Sequence, residues 1–394
     1  MTDKHTAFAK RVKRQVSGKF RECFVVTNLG FENLVKADLA ALPLSNPILK
    51  ILKIQPGGIS FHGKLADLML ANLHLRMATR ILMRLDTFKA ENFFELGRKL
   101  SAIPWELFLY RNQHVTVNVT SHHSRLYHSQ AVAQRIDQSI ADRQTAMMPG
   151  ATKLSDQQLF IRILKNRLTL SLNSSGESLY KRGLKPHGGL APLRETFATA
   201  ILKMAGYHQD KPLLDPMCGA GSFSLEAAMM VKNMAPGLHR KFAFRGWPAF
   251  QPKRWRYLLN EAQSAVIQRD HPTIFASDNS QKATNTLLDC VKKHHLKDAV
   301  EVQNKNFFDL KPKDWTRHKG LVVINPPYGI RLKEGSNIPL FFSELVDKLR
   351  SDYKGWQVAL LVPQHAANSV RPLALKTYRL IHGGLKVLLF YGRI

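Results

Sequence analysis

Six short apolar runs recur between residues 212 and 391, separated by longer and more polar stretches, several of helical period. They are PLLD (212–215), TIFASD (273–278), AVEVQN (299–304), GLVVIN (320–325), WQVALLV (356–362) and KVLLFY (386–391). Short apolar runs with little polar alternation are strands buried on both faces. Strands alternating with helices make a mostly parallel sheet with helices packed on either side. Such sheets bind ligands in the crevice outside the carboxyl ends of their strands. The residues that close each run are therefore the first place to look for chemistry.

The first run closes on DPMCGAGSFSLEAAMMV. Asp215 ends the strand, Gly219-Ala220-Gly221 makes a tight turn, and Ser222 is expected to cap a helix running to Val231. A glycine turn feeding a helix N-terminus lets a ligand approach free backbone N–H groups. A dinucleotide fingerprint would want a third glycine and an acid ~20 residues on. Leu225 stands near the place of that glycine, and the acid closing the next run, Asp278, is much further along. An acid there can hold both hydroxyls of a ribose. The pattern implies a nucleoside without a pyrophosphate cradle. A nucleoside carrying an amine and a carboxylate instead of phosphates is S-adenosylmethionine.

The fourth run stops on Asn325-Pro326-Pro327-Tyr328. Two prolines cannot donate backbone hydrogen bonds or continue a buried strand. They freeze the backbone so that the Asn325 side-chain oxygen and the Pro326 carbonyl become fixed acceptors. Methyl transfer to an amide or exocyclic nitrogen needs such acceptors, because the nitrogen lone pair is delocalised and must be turned toward the methyl. Tyr328 offers a face on which a flipped base can stack.

The first half reads differently. CFVVTN (23–28), a helix over 31–42 and GGISFHG (57–63) suggest a small βαβ-type unit, with Leu34, Ala37, Leu39 and Leu42 available to one helix face. Residues 65–85 read as a helix running into a strand near 81–85. A helix over 91–103, an alternating strand at 114–121 and a helix over 129–144 follow. Residues 158–176 read as a hairpin turning at Lys165-Asn166. This α+β region holds no catalytic constellation; His122, His123 and His128 have no carboxylate or cysteine beside them, so no metal is expected. A glycine- and proline-rich linker then leads into a helix around 194–205.

Charge points to the partner. The 58 Lys and Arg against 29 Asp and Glu leave +29, a surplus that suits a polyanion. Residues 1–20 bunch Lys10, Arg11, Lys13 and Arg14 and read as a disordered basic arm. Residues 227–260 hold seven basic side chains, among them Arg240, Lys241, Arg245, Lys253, Arg254 and Arg256, and no acid. Phe242, Phe244, Trp247, Phe250, Trp255 and Tyr257 are interleaved with them, a mixture suited to phosphates and unpaired bases. No apolar run approaches the ~20 residues that cross a bilayer, and the N-terminus has no secretory apolar core. Cys23, Cys218 and Cys290 lack paired spacing, which fits a reducing cytoplasm.

TNLGFENLVKADLAAL, GGISFHG, SLYKRGLKPHGGLAPLRETFATAIL, LLDPMCGAGSFSLEAAMM, APGLH, FRGW and VVINPPYGIRL together resemble the THUMP-containing guanine-N2 RNA methyltransferases. The similarity is greatest to the N-terminal half of the bifunctional 23S rRNA enzyme of bacteria and runs from about Phe20 onward. It implies an α/β Rossmann-like class I methyltransferase domain over 177–394. An α+β region would precede it: a ferredoxin-like segment over 20–64 and a THUMP RNA-binding domain over 65–176, with the arm 1–19 outside the pattern. It implies S-adenosylmethionine as cofactor and ribosomal RNA as partner. Pro192, Glu195 and Thr196 fall at the cofactor lid. Asp215, Pro216, Cys218, Gly219, Gly221 and Ser222 fall at the methionine end, Asp278 and Asn279 at the ribose, and Asn325 to Tyr328 at the target base. Asn306 stands where the family usually has an Asp reading the adenine amine. Three other readings share parts of these motifs: an adenine-N6 methyltransferase, a protein-glutamine N5 methyltransferase, and a non-catalytic RNA-binding factor.

Overall fold

The computed structural model describes residues 3–44, 51–150, 155–185, 193–327, 338–382 and 384–394. The chain divides into two compact units. One comprises Met1–Lys181 and Pro236–Ala262, the other Arg182–Ala235 and Gln263–Ile394. The boundary expected at 177 thus lies at 182, and the basic-aromatic segment does not belong to the unit that flanks it in sequence.

The first unit is built on one sheet of seven strands: β1 (Arg21–Val26), β2 (Ile51–Gln55), β3 (Gly58–Gly63), β4 (Arg80–Lys89), β5 (Val115–His122), β6 (Gln157–Leu164) and β7 (Arg167–Asn173). Their order is β2-β3-β1-β4-β7-β6-β5. β1 and β3 pair antiparallel, Cys23 opposite Phe61, because β2 intervenes and forms a hairpin with β3. The expected βαβ unit is therefore corrected. β4 pairs with both β1 and β7, so the sheet has no break at the expected 64/65 boundary. The hairpin β6–β7 does turn at Lys165 and Asn166, both at positive φ as a primed turn requires.

The N-terminal arm is not disordered. Asp3–Val12 is helical and continues as a wider π-type turn over Lys13–Ser17, with Val12 and Val16 buried and Arg11 paired with Glu106 at 3.0 Å. The segment 236–262 also departs from expectation. Phe242, Phe244, Trp247 and Trp255 are buried, and three of them pack ring to ring at 5.1–5.5 Å. The Trp247 indole donates to Gln157 Oε1 at 2.8 Å. These rings build the core of the first unit and do not offer stacking faces; Tyr257 alone among the six is exposed.

The second unit carries the alternation seen in the sequence. Its strands are β8 (Leu213–Asp215), β9 (Ile274–Asp278), β10 (Val300–Asn304), β11 (Leu321–Ile324), β12 (Gln357–Pro363), β13 (Lys376–His382) and β14 (Leu385–Arg393), ordered β10-β9-β8-β11-β12-β14-β13. The first five are parallel, and β14 returns antiparallel between β12 and β13. β11 is buried at every position, as a strand covered on both faces must be. The strand order reverses between β8 and β11, so a crevice opens there at the carboxyl edge.

Candidate active site

Asp215 closes β8 in register with Ala276 of β9. Asp278 lies two residues further along β9, opposite Asn304 of β10. β11 pairs with β8 through Leu321–Leu213 and Val322–Leu214, which carries Asn325 past the same edge. Pairing of parallel strands thus brings together carboxylates 63 positions apart in sequence and an amide further on.

The turn after β8 is held in place before any ligand arrives. Gly219 and Gly221 sit at φ +52° and +75°, conformations open to glycine at little cost. The Gly219 N–H donates to Asp278 Oδ2 at 2.9 Å, and the Ser280 N–H donates to Oδ1 at 2.9 Å. Asp278 therefore fixes the glycine turn as well as closing its own strand. Gly221, not Ser222, is the N-cap of the helix Ser222–Val231. The Ser222 hydroxyl instead donates to the Leu193 carbonyl at 2.7 Å and receives Lys185 Nζ at 2.7 Å.

Asp215 is 1% exposed. Its Oδ2 accepts from the Ser224 hydroxyl at 2.6 Å and the Ser224 N–H at 3.2 Å, whereas its Oδ1 is buried with no partner among the described residues. Burial pushes this carboxyl up to about 7, against the pull of the Ser224 bonds. The Thr196 hydroxyl oxygen and the Asn325 Oδ1 are likewise buried without a partner among the described residues. An unmet buried oxygen is costly; Asp215 and Asn325 carry theirs at the carboxyl ends of the neighbouring strands β8 and β11, and Thr196 carries its own in the first turn of the helix Glu195–Met204. Burial and the neighbouring Asp215 and Asp278 raise the Cys218 thiol well above its ordinary value, so it stays a neutral, packed side chain.

The segment leading into the crevice is anchored by ion pairs and hydrogen bonds whose residues, apart from Glu195, are not among the expected site residues. Arg182, 4% exposed, pairs with the fully buried Glu226 at 2.9 Å, and Glu226 also accepts from Thr199. Lys185 pairs with Glu195 at 3.0 Å, and the Leu184 carbonyl meets His294 Nε2 at 3.0 Å. Glu226 carried a signal: a charge inside an otherwise apolar helix needs a buried cation, although the sequence does not say which.

The remaining expected residues divide. Pro216 is buried and accepts from Ser277 Oγ, and Asn279 is exposed beside Asp278. Asn306 is exposed and its Oδ1 caps Phe308 N–H at 3.2 Å, so that oxygen already has a local role. Pro326 and Pro327 follow Asn325, with Pro326 buried. Pro192 and Tyr328 lie outside the described residues. Of the basic residues, Lys10, Lys13, Arg14, Lys241, Arg245, Lys253, Arg254 and Arg256 are exposed. Arg240 is not a free cation: its guanidinium donates to the carbonyls of Ser175, Glu177, Ser178 and Lys181. Among the described residues no group of His, Cys, Asp and Glu could hold a metal, and no helix is long and apolar enough to cross a membrane.

A doubly wound parallel sheet with a nucleoside-type glycine turn and an Asn-Pro-Pro closure defines a Rossmann-like methyltransferase unit. Residues 182–379 match the family described as RMKL-like, methyltransferase domain, and the chain belongs to that family. Residues 22–82 match the RlmL ferredoxin-like domain, which extends that domain past the expected residue 64. A protein of Synechocystis named as an RNA methyltransferase is 31% identical over 345 residues, 86% of this chain and 88% of that one. The ribosomal RNA large subunit methyltransferase K/L of Syntrophotalea carbinolica is 32% identical over 377 residues, 92% of this chain but 52% of that one. The chain thus spans about half the length of its K/L relatives. SMU.472, described as a methyltransferase and solved in complex with SAH, superposes with a TM-score of 0.81 at 27% identity, covering 95% of this chain and 99% of that one.

Proposed function

We propose that this chain transfers a methyl group from S-adenosylmethionine to the exocyclic N2 of a guanine in large-subunit ribosomal RNA. The observation that carries the reading is the Asn325 side-chain oxygen, buried and unpartnered among the described residues at the mouth of the sheet and followed by two prolines. An acceptor of that kind, held by a stiff backbone, suits an amine that arrives with the substrate. The names of the K/L relatives favour ribosomal RNA, and the resemblance of the motifs favours guanine.

The residues present fit the cofactor. Asp215 Oδ1, buried and unmet, suits its ammonium group, and Asp278 suits the ribose. When bound, the cofactor supplies an electrophilic methyl on a sulfonium. Asn325 Oδ1 and the Pro326 carbonyl accept from the amine and turn its lone pair toward the transfer path. A neutral amide adds no charge, and a strong base is unnecessary because the nitrogen becomes acidic only once alkylated. The first unit supplies RNA affinity, with the THUMP reading of 65–176 and the exposed cations Lys10, Lys13, Arg14, Lys241, Arg245, Lys253, Arg254 and Arg256 as its contact set.

The test incubates the protein with undermodified ribosomal RNA and labelled cofactor, then digests to nucleosides. Label is expected in N2-methylguanosine. Asn325→Ala is expected to lose ~100-fold or more in turnover, by analogy with removal of one oriented transition-state group, with cofactor affinity nearly intact. Label in N6-methyladenosine, or in protein glutamine with none in RNA, overturns the reading.

A further inference from the structure

At the opposite edge of the methyltransferase sheet lies a second cleft of about 410 Å³. Its walls include Tyr207, His208, Lys211, His318, Lys319 and Arg393. Leu321 and Gln357, which open β11 and β12, also line it, so it sits where the parallel strands begin, across the sheet from the Asp215–Asn325 crevice.

Three features set this cleft apart from an ordinary basic surface. No carboxylate lines it; the nearest acid in sequence, Asp210, is paired with His208 at 3.1 Å. Lys211, Lys319 and Arg393 are exposed and have no ion-pair partner among the described residues. Tyr207 is 8% exposed, yet its hydroxyl is buried with no hydrogen-bond partner among the described residues. A buried hydroxyl without a partner is a standing cost that a ligand acceptor removes. Burial raises the Tyr207 phenol far above the range of ordinary solutions, so it remains a donor throughout.

The lining also says what kind of anion fits. Cations dominate the wall, joined by the exposed imidazoles of His208 and His318, and no exposed Phe, Tyr or Trp lines it. Such a surface reads charge and not sequence, which is the character of phosphate contacts. In a chain of net charge +29 the matching polyanion is nucleic acid.

We propose that this cleft holds a backbone phosphodiester of the substrate RNA, remote from the base being methylated. The proposal rests on RNA being the substrate. It assigns Lys319 and Arg393 as phosphate contacts and Tyr207 as the donor at the cleft floor.

The experiment compares the full chain with the double variant Lys319→Gln, Arg393→Gln and with Tyr207→Phe. Binding of a large-subunit rRNA transcript is measured over a series of salt concentrations. The double variant is expected to bind about 10-fold more weakly at low salt, with a log–log salt slope shallower by about 1–2, since each lost phosphate contact removes about one released counterion. Tyr207→Phe is expected to weaken binding several-fold with the slope unchanged, because it removes a donor and no charge. Affinity for S-adenosylhomocysteine should be unchanged in both. Unaltered RNA affinity and slope in the folded variants overturns the cleft assignment and leaves the methyltransferase reading standing. Failure of the unmodified protein to bind the transcript overturns the RNA reading and this proposal with it. Inorganic phosphate serves as a further probe: if it binds the unmodified protein in a Tyr207-dependent way while RNA affinity ignores all three substitutions, the cleft takes a small anion and the proposal fails.

Discussion

Asp215 is a carboxyl placed where its ionised form is expensive. Burial raises it to about 7, and one oxygen has no partner among the described residues. A raised carboxyl means that the folded protein keeps a proton the unfolded chain gives up near the ordinary carboxylate value. Stability of the cofactor-free protein therefore falls as pH rises from about 4 to about 7 and is level above. The variant Asp215→Asn lacks this penalty, so its thermal midpoint relative to the unmodified protein should climb across that window. Cofactor binding should do the opposite. An ammonium group favours the ionised carboxyl, so affinity for S-adenosylhomocysteine is expected to rise between about pH 6 and 8. In Asp215→Asn it should be ~10-fold or more weaker, the worth of a charged hydrogen bond, and flat with pH. Calorimetry at three pH values reads both; a pH-independent affinity in the unmodified protein would remove Asp215 from the cofactor site.

Elements make the second level of constraint, and Gly221 joins two of them. It caps one helix at φ +75°, and a Cβ placed there would come within 2.3 Å of Leu287 on the helix Gln281–Lys293. Gly221→Ala should therefore cost about 2–4 kcal/mol, part backbone strain and part overpacking. In chemical denaturation the double variant Gly221→Ala, Leu287→Ala should lose less than the sum of the single losses, because the clash term is shared; strict additivity would count against the packing account. The same elements show what a sequence can carry. β8, β9, β11 and β12 were legible because strands buried on both faces are apolar throughout, and the residues closing them marked the crevice. β13 was missed because Lys376–His382 is an edge strand with polar residues in alternation. The helix Glu32–Ala40 buries Val35 and Leu39, with Phe31 just before it, so of the expected face only Leu39 is fully buried, while Ala37 is exposed and Leu34 and Leu42 are half-buried. The charge of the N-terminal arm suggests disorder, but Val12 and Val16, one helical turn apart, are buried and Arg11 pairs with Glu106. Burial of aromatics in 236–262 was illegible, since Gln157, which accepts from Trp247, and the Ser174 carbonyl, which accepts from the Phe244 N–H, lie far away in sequence.

At the scale of the whole molecule the chain passes three times between its units. It leaves the methyltransferase unit after Ala235, contributes Pro236–Ala262 to the first unit and returns at Gln263. The exit and return are neighbours: Ile267 N–H donates to the Lys232 carbonyl at 2.8 Å, and Asn233 Nδ2 donates to the Ala265 carbonyl at 3.1 Å. A fragment beginning at Arg182 should therefore be poorly soluble if it keeps 236–262, because Phe242, Phe244 and Trp247 would be stripped of their core. Replacing 236–262 by a short glycine-serine loop should give a soluble fragment that binds S-adenosylhomocysteine and does not methylate ribosomal RNA. Light scattering and calorimetry distinguish the two; a soluble, cofactor-binding fragment that retains 236–262 would contradict the assignment of this segment to the first unit's core.

The same threading sets a timetable for synthesis. Domains generally fold as units in the order in which the chain emerges. Here the unit that begins first cannot be completed before the second has begun, since the rings that fill it are translated only after β8 and the helix Ser222–Val231. Synthesis of the two units overlaps, and a nascent chain that extends past Arg182 but is shorter than about 262 residues carries an unfinished interior in both.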